Sequence, residues 1–133
     1  MKEPRIIVYC RDVREIEMAL GEIIRGLVPQ EDVEVYDSIP TLASRIRRPQ
    51  LEPAILALFV SDEEDMENLL SIRALLDDNR FVLVLPCRCT PDAIMAGYSL
   101  RPRYLSFMNT SLNDVKAVLD RMIGVERAYQ KTA

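Results

Sequence analysis

Apolar residues along the chain fall into two kinds of stretch: short unbroken runs, and longer segments with apolar positions three or four apart. The unbroken runs are Arg5–Cys10 (RIIVYC), residues 54–60 (AILALFV) and residues 81–85 (FVLVL). Residues 54–60 are seven apolar side chains in a row, with no period-two alternation. A run of that kind, closed by a helix-start signal, reads as a strand buried on both faces in the middle of a parallel sheet. Val33, Val35 and Tyr36 alternate with Asp32, Glu34 and Asp37, which suits an edge strand. Tyr104–Phe107 (YLSF) reads as a further strand.

Between the strands the period lengthens to that of a helix. A first helix starts at Asp12, with Glu15 completing a capping box, and turns Ile16, Leu20, Ile23, Ile24 and Leu27 inward before Pro29. A second opens at Pro40, runs through Leu42, Ala43 and Ile46, and ends before Pro49. A third covers residues 62–77, with Met66, Leu69, Leu70, Ile72 and Leu76 inward and Ser61 with Glu64 as its capping box. A fourth starts at Thr90-Pro91-Asp92 and runs over Ala93, Ile94 and Met95 toward Gly97. The last is capped by Thr110 or Ser111 and buries Leu112, Val115, Val118, Leu119, Met122 and Ile123, with Gly124 past its end. Residues 1–124 are then one domain and residues 125–133 a C-terminal tail, either frayed or continuing the helix.

Strand and helix alternate five times, which implies a parallel sheet with helices on both faces. The expected fold class is α/β: a flavodoxin-like three-layer sandwich with five helices and a five-stranded parallel sheet of order 2-1-3-4-5. That order places the first, third and fourth strands inside, and these are the three most apolar runs.

Composition narrows the function classes. The 133 residues suffice for one domain with a real core, and 49% hydrophobic with 29% charged is ordinary for a globular chain. A net charge of −4 predicts no bulk attraction to nucleic acid or anionic lipid. Arg45, Arg47 and Arg48 form the one basic knot, either a site for an acidic partner or a nucleotide phosphate or, as expected, a solvated helix face. No apolar run nears the roughly 20 residues a bilayer span needs, and the N-terminal run is too short for a signal peptide, so no membrane association and a cytoplasmic location are expected. There is no histidine, which removes the commonest general base and metal ligand and any Ser-His-Asp or Cys-His site. No glycine-rich phosphate loop is present either.

In an open α/β sheet, ligands bind beyond the carboxyl ends of the central strands. What stands there after Val60 is Ser61-Asp62-Glu63-Glu64-Asp65. Acids so placed either hold a hard cation or complement the dipole of a first helical turn; the second is the expectation. Cys10, Cys87 and Cys89 are an odd, low count of cysteines, expected as free thiols. All three map to the same sheet edge, as a soft-metal or redox site or as ordinary small apolar residues. Three thiols are one ligand short for structural zinc, and no metal or cofactor is expected. Tyr98, Leu100, Tyr104 and Met108 are either an exposed interaction face, open to a homodimer, or core beneath a connector.

This layout resembles the receiver domain of bacterial two-component response regulators, the CheY-like family, across the whole chain. The resemblance rests on PAILALFV as the family's third strand. It rests also on Ala93, Ala96 and Gly97, then Tyr104-Leu105-Ser106, then Leu112 through Ile123, as its fourth helix, fifth strand and fifth helix. The connector at residues 98–103 is longer than the family's usual one. The resemblance implies acids after the first strand, where Tyr9 and Cys10 stand with Asp12 nearby. It implies an acceptor aspartate at the end of the third, where Phe59 stands with Ser61 and Asp62 just beyond. A Ser or Thr is implied where Pro86 stands, and a lysine where Phe107 and Met108 stand. Phosphoryl transfer needs charge neutralisation and an in-line nucleophile, so the expectation is a degenerate pseudo-receiver. It would be non-enzymatic, a signalling or adaptor domain binding another protein of its pathway, unphosphorylated on any conventional aspartate. The alternative is a small-molecule or thiol/metal redox sensor using the strand-end edge with the three cysteines.

Overall fold

The computed structural model describes residues 4–12, 21, 27–29, 32–48, 54–108 and 112–132. Five parallel strands form one sheet: β1 (Arg5–Cys10), β2 (Val33–Tyr36), β3 (Ala54–Phe59), β4 (Arg80–Leu85) and β5 (Tyr104–Phe107). Their order is β2-β1-β3-β4-β5, the flavodoxin-like arrangement expected from the apolar runs. The described helices are α1 (Ile39–Arg47), α2 (Glu63–Ser71), α3 (Arg73–Leu76), α4 (Pro91–Ser99) and α5 (Asn113–Thr132). Of the expected features, Glu15, Ile16, Leu20, Ile23 and Ile24 of the first helix lie outside the described residues, as do Pro49 and the Thr110 or Ser111 cap.

Successive side chains of a strand point to opposite faces, so each central strand feeds two cores. On one face Val8, Cys10, Ala57, Phe59 and Val84 meet Val115, Leu119 and Ile123 of α5. On the other, Tyr9, Leu58, Val60 and Leu85 meet Leu42 and Ile46 of α1, Met66 and Leu69 of α2, and Ile94 of α4. β1, β3 and β4 are buried from their second residue on. Edge strand β2 is less well covered, and there the alternation does not hold: Val35 is 46% exposed while Glu34 is half-buried and Tyr36 packs on the core. Among the described residues no helix is long and apolar enough to cross a membrane.

Local signals set the helix starts. Ser38 Oγ accepts from Thr41 N–H to cap α1, and Thr90 Oγ1 accepts from Ala93 N–H to cap α4, with Pro91 in its first turn. The α2 cap differs from expectation by one residue. Asp62 Oδ1 accepts from Asp65 N–H at 2.9 Å, and Asp65 Oδ2 accepts from Ser61 N–H at 2.8 Å. Asp is as good a cap as Ser, and Asp62 has its own acid three residues on, so the box closes there rather than on Ser61 and Glu64. The expected 62–77 helix also breaks at Ile72, whose N–H turns to the Leu69 and Leu70 carbonyls.

α5 carries through Gly124 to Thr132, so residues 125–132 continue the helix rather than fraying from it. Glu126 is buried on its inner side and ion-pairs with Arg80 at the start of β4. On edge strand β2, Glu34 accepts two bonds from Arg45, at 2.7 and 3.0 Å, and a third from Tyr36. Arg45 therefore clamps α1 to the sheet instead of facing solvent with Arg47 and Arg48, which are exposed.

Candidate functional site

The carboxyl ends of β1, β3, β4 and β5 converge on one rim, where Asp62, Glu63, Asp65, Cys87, Cys89 and Arg11 gather. Register decides which side chains face which way. Tyr9 pairs with Leu58 and Cys10 with Phe59 across β1 and β3. Tyr9 thus points toward α2, while Cys10 and Phe59 point into the core under α5.

Beneath the α2 N-terminus is a polar network. Tyr9 O–H donates to Asp65 Oδ1 at 2.8 Å, and both residues are 1% exposed. Burial, then the bond to Asp65, pushes the Tyr9 hydroxyl pKa well upward. Just above, the Arg11 guanidinium donates to both Asp62 oxygens, at 3.2 and 2.5 Å, and stands 3.8 Å from Asp65. The Arg11 bond holds the Asp62 carboxyl below the usual carboxylate range, helped by the Asp65 backbone N–H. Asp62 and Asp65 are therefore spent on a helix cap, a buried tyrosine and an arginine. Glu63 and Glu64 are exposed in the first helical turn, where they complement its dipole.

A cleft of about 760 Å³ opens beside this network, between the start of α2 and the β4–α4 loop. Its floor is apolar, from Val60, Met66, Leu85, Ile94 and Phe107. Its rim carries Ser61, Asp62, Cys87, Arg88, Cys89 and Thr90.

Of the residues expected around a receiver-like pocket, Ser61, Asp62, Pro86 and Phe107 line this cleft. Cys10, Asp12 and Phe59 do not. Cys10 is 3% exposed in the opposite core, its thiol bonded to the Asp12 carbonyl, and Phe59 is 4% exposed beside it. The three cysteines are likewise split: Cys87 and Cys89 line the cleft, and the sheet separates them from buried Cys10. Among the described residues no three His, Cys, Asp or Glu side chains are grouped to hold a metal ion.

The expected interaction face is not one surface. Leu100 is fully buried in the α4-side core, whereas Tyr104 and Met108 pack on the α5 side, where Tyr104 O–H and Ser106 Oγ both donate to Asp114. Tyr98 alone of the four is well exposed, at 62%. Its neighbour on the outer face of α4 is Met95, at 71%. Their i, i+3 spacing is the signal that pairs them.

No protein-family model matches the chain, and no curated protein sequence matches it. Solved structures do. A CheY-like response regulator receiver domain protein of Methanospirillum hungatei JF-1 superposes with a TM-score of 0.69 at 12% identity, covering 96% of this chain and 99% of its own. An adenylate cyclase of Rhodopirellula baltica matches with a TM-score of 0.66 at 15% identity, over 98% of this chain and 95% of its own. A candidate pilus assembly protein (cpaE) of Burkholderia thailandensis E264 gives 0.60 at 11%, over 96% and 99%. At these identities the likeness is one of architecture, and it extends over nearly the whole chain: the protein has the fold of CheY-like receiver domains.

Proposed function

We propose that this chain is a non-enzymatic signalling or adaptor domain of receiver fold, a pseudo-receiver that acts by contact with another protein. The observation that carries this reading is what occupies the strand ends. The last residue of β3 is Phe59, sealed in the core, and the last of β5 is Phe107, on the apolar floor of the cleft. Phosphoryl transfer works by a metal and a cation neutralising phosphate charge around an in-line nucleophile. Here the two aspartates beside the cleft are already engaged internally: Asp62 pairs with Arg11, and Asp65 accepts from Tyr9 and the Ser61 N–H with Arg11 3.8 Å away. Arg11 stands as a built-in cation among them. The exposed Met95 and Tyr98 on α4 offer apolar anchors for a partner. A cytoplasmic setting belongs to the same reading, since three unbridged cysteines suit a reducing compartment.

The test is a challenge with acetyl phosphate, and separately with beryllofluoride, in the presence of Mg²⁺. The expected result is no phosphoryl adduct by intact mass and no beryllofluoride-induced shift in thermal midpoint. A stoichiometric, hydroxylamine-labile adduct that Asp62→Asn removes would overturn the reading.

A further inference from the structure

The strand-end cleft brings three sulfur-bearing side chains together, Cys87, Cys89 and Met66, the last of which also belongs to the core beneath α2. We propose that Cys87 and Cys89, together with the Met66 thioether, form a site for a soft monovalent cation of the Cu(I) class. All three side chains line the same cleft, the thiols from the β4–α4 loop and the thioether from α2. Cys87 is exposed and Cys89 half-buried, neither is bridged, and neither thiol has a hydrogen-bond partner among the described residues. They are free to bind, unlike Cys10, whose thiol is buried and bonded to Asp12.

The donor set selects the ion. Thiolates and thioethers are soft ligands and favour Cu(I), which accepts two or three sulfurs, whereas structural zinc takes four donors. The cleft offers two thiols and one thioether, with no histidine anywhere in the chain. Its oxygen donors are poor competitors for a soft ion, and Asp62 is already held by Arg11. Charge is consistent as well. Two thiols lose two protons on binding Cu(I), leaving a dithiolate complex of net charge −1 and no change of oxidation state. Arg88 stands between the two cysteines, exposed and without an ion-pair partner among the described residues, so its guanidinium can offset that charge. The apolar floor would offer a bound ion few competing hard ligands on that side.

The test is an anaerobic titration of the full chain with Cu(I) held by bathocuproine disulfonate. The wild type is expected to withdraw one Cu(I) per chain. Cys87→Ser and Cys89→Ser should each weaken binding by more than the roughly 100-fold that loss of a supporting residue costs, and Met66→Leu by roughly 10- to 100-fold. Cys10→Ala should bind like wild type, and Zn(II) should not be retained against a chelator of matched strength. Circular dichroism checks that each variant is folded. On the wild type itself, Cu(I) should protect Cys87 and Cys89 from alkylation, as read by peptide mass spectrometry. No Cu(I) uptake, unchanged affinity in either serine variant, or alkylation of both thiols in the presence of Cu(I) would overturn the proposal.

Discussion

The Tyr9 hydroxyl lies under the α2 N-terminus with its one acceptor, Asp65, and water reaches neither side chain. Tyr9→Phe keeps the ring but leaves a buried carboxylate one donor short, with Ser61 N–H and Arg11 still nearby. The expected loss is about 1.5–3 kcal/mol, the range for a hydrogen bond to a charged group, read as a lower urea midpoint at unchanged m-value. The same substitution has a signature in alkali. Burial and the Asp65 bond raise the hydroxyl pKa in the folded state, so its contribution is complete below the unfolded value and is lost as pH rises. Wild type should lose about 1.4 kcal/mol per pH unit from this group above pH ~10, and Tyr9→Phe should not. Little of this network is legible in the residues alone. The run Ser61-Asp62-Glu63-Glu64-Asp65 announces acids at the rim, but the one that turns inward is chosen by the helical turn that carries Asp65 back over Tyr9. Arg11 is equally silent in the sequence, because its partners are fixed by the pairing of β1 with β3. The apolar substitutions at the strand ends are the part that reads directly, since Phe59 and Phe107 can supply no charge wherever they point.

Most of the described elements were legible where burial is apolar, although the 62–77 helix breaks at Ile72, and the end of α5 stayed open because burial there is polar. The central strands announce themselves because both faces of each are covered by hydrophobic side chains. In α5 the inward stripe runs Leu119, Ile123, and then reaches Glu126, a charged residue whose burial rests on Arg80. Hydrophobic periodicity therefore stops at Ile123, and Gly124 beside it imitates a C-terminal stop. The helix passes through that glycine, which is exposed, and a Cβ there would meet nothing within 4 Å. Gly124→Ala should accordingly stabilise the protein by about 0.5–1 kcal/mol. A glycine that ended the helix in a left-handed conformation would give the opposite sign, so one thermal melt decides. Gly97 shows the reverse case within α4. A Cβ there would stand 3.0 Å from Leu105 Cδ1 and 3.1 Å from Leu83 Cδ2, because the helix lies close against β4 and β5. Gly97→Val is expected to cost about 1–3 kcal/mol by overpacking, measured by chemical denaturation.

At the scale of the whole molecule, the chain's composition and its ion-paired carboxylates predict a stability insensitive to pH near neutrality. The chain has no histidine, the one side chain that ordinarily changes charge between pH 5 and 8. Three of its carboxylates, Glu34, Asp62 and Asp114, are held below the usual range. Glu34 is held down by its Arg45 bond against burial, with Tyr36 adding to the effect. Burial pushes Asp114 up, but bonds from Ser106, Tyr104 and the Val115 backbone N–H together bring it below the usual range. A carboxylate lowered in the folded state stabilises above its unfolded value, about 4, and loses that contribution as pH falls through the folded one. The buried tyrosine works on the other side, above pH ~10. Unfolding free energy should therefore be flat between about pH 5 and 8 and should fall outside that window on both sides, measured by urea denaturation at fixed ionic strength. Flatness distinguishes a scaffold that presents a fixed surface from one built to respond to protons. A slope of more than about half a proton's worth, some 0.7 kcal/mol per pH unit, inside the window would mean that a group outside this account changes protonation on folding. In that case the stability of the fold would be conditional on pH rather than constant across the window.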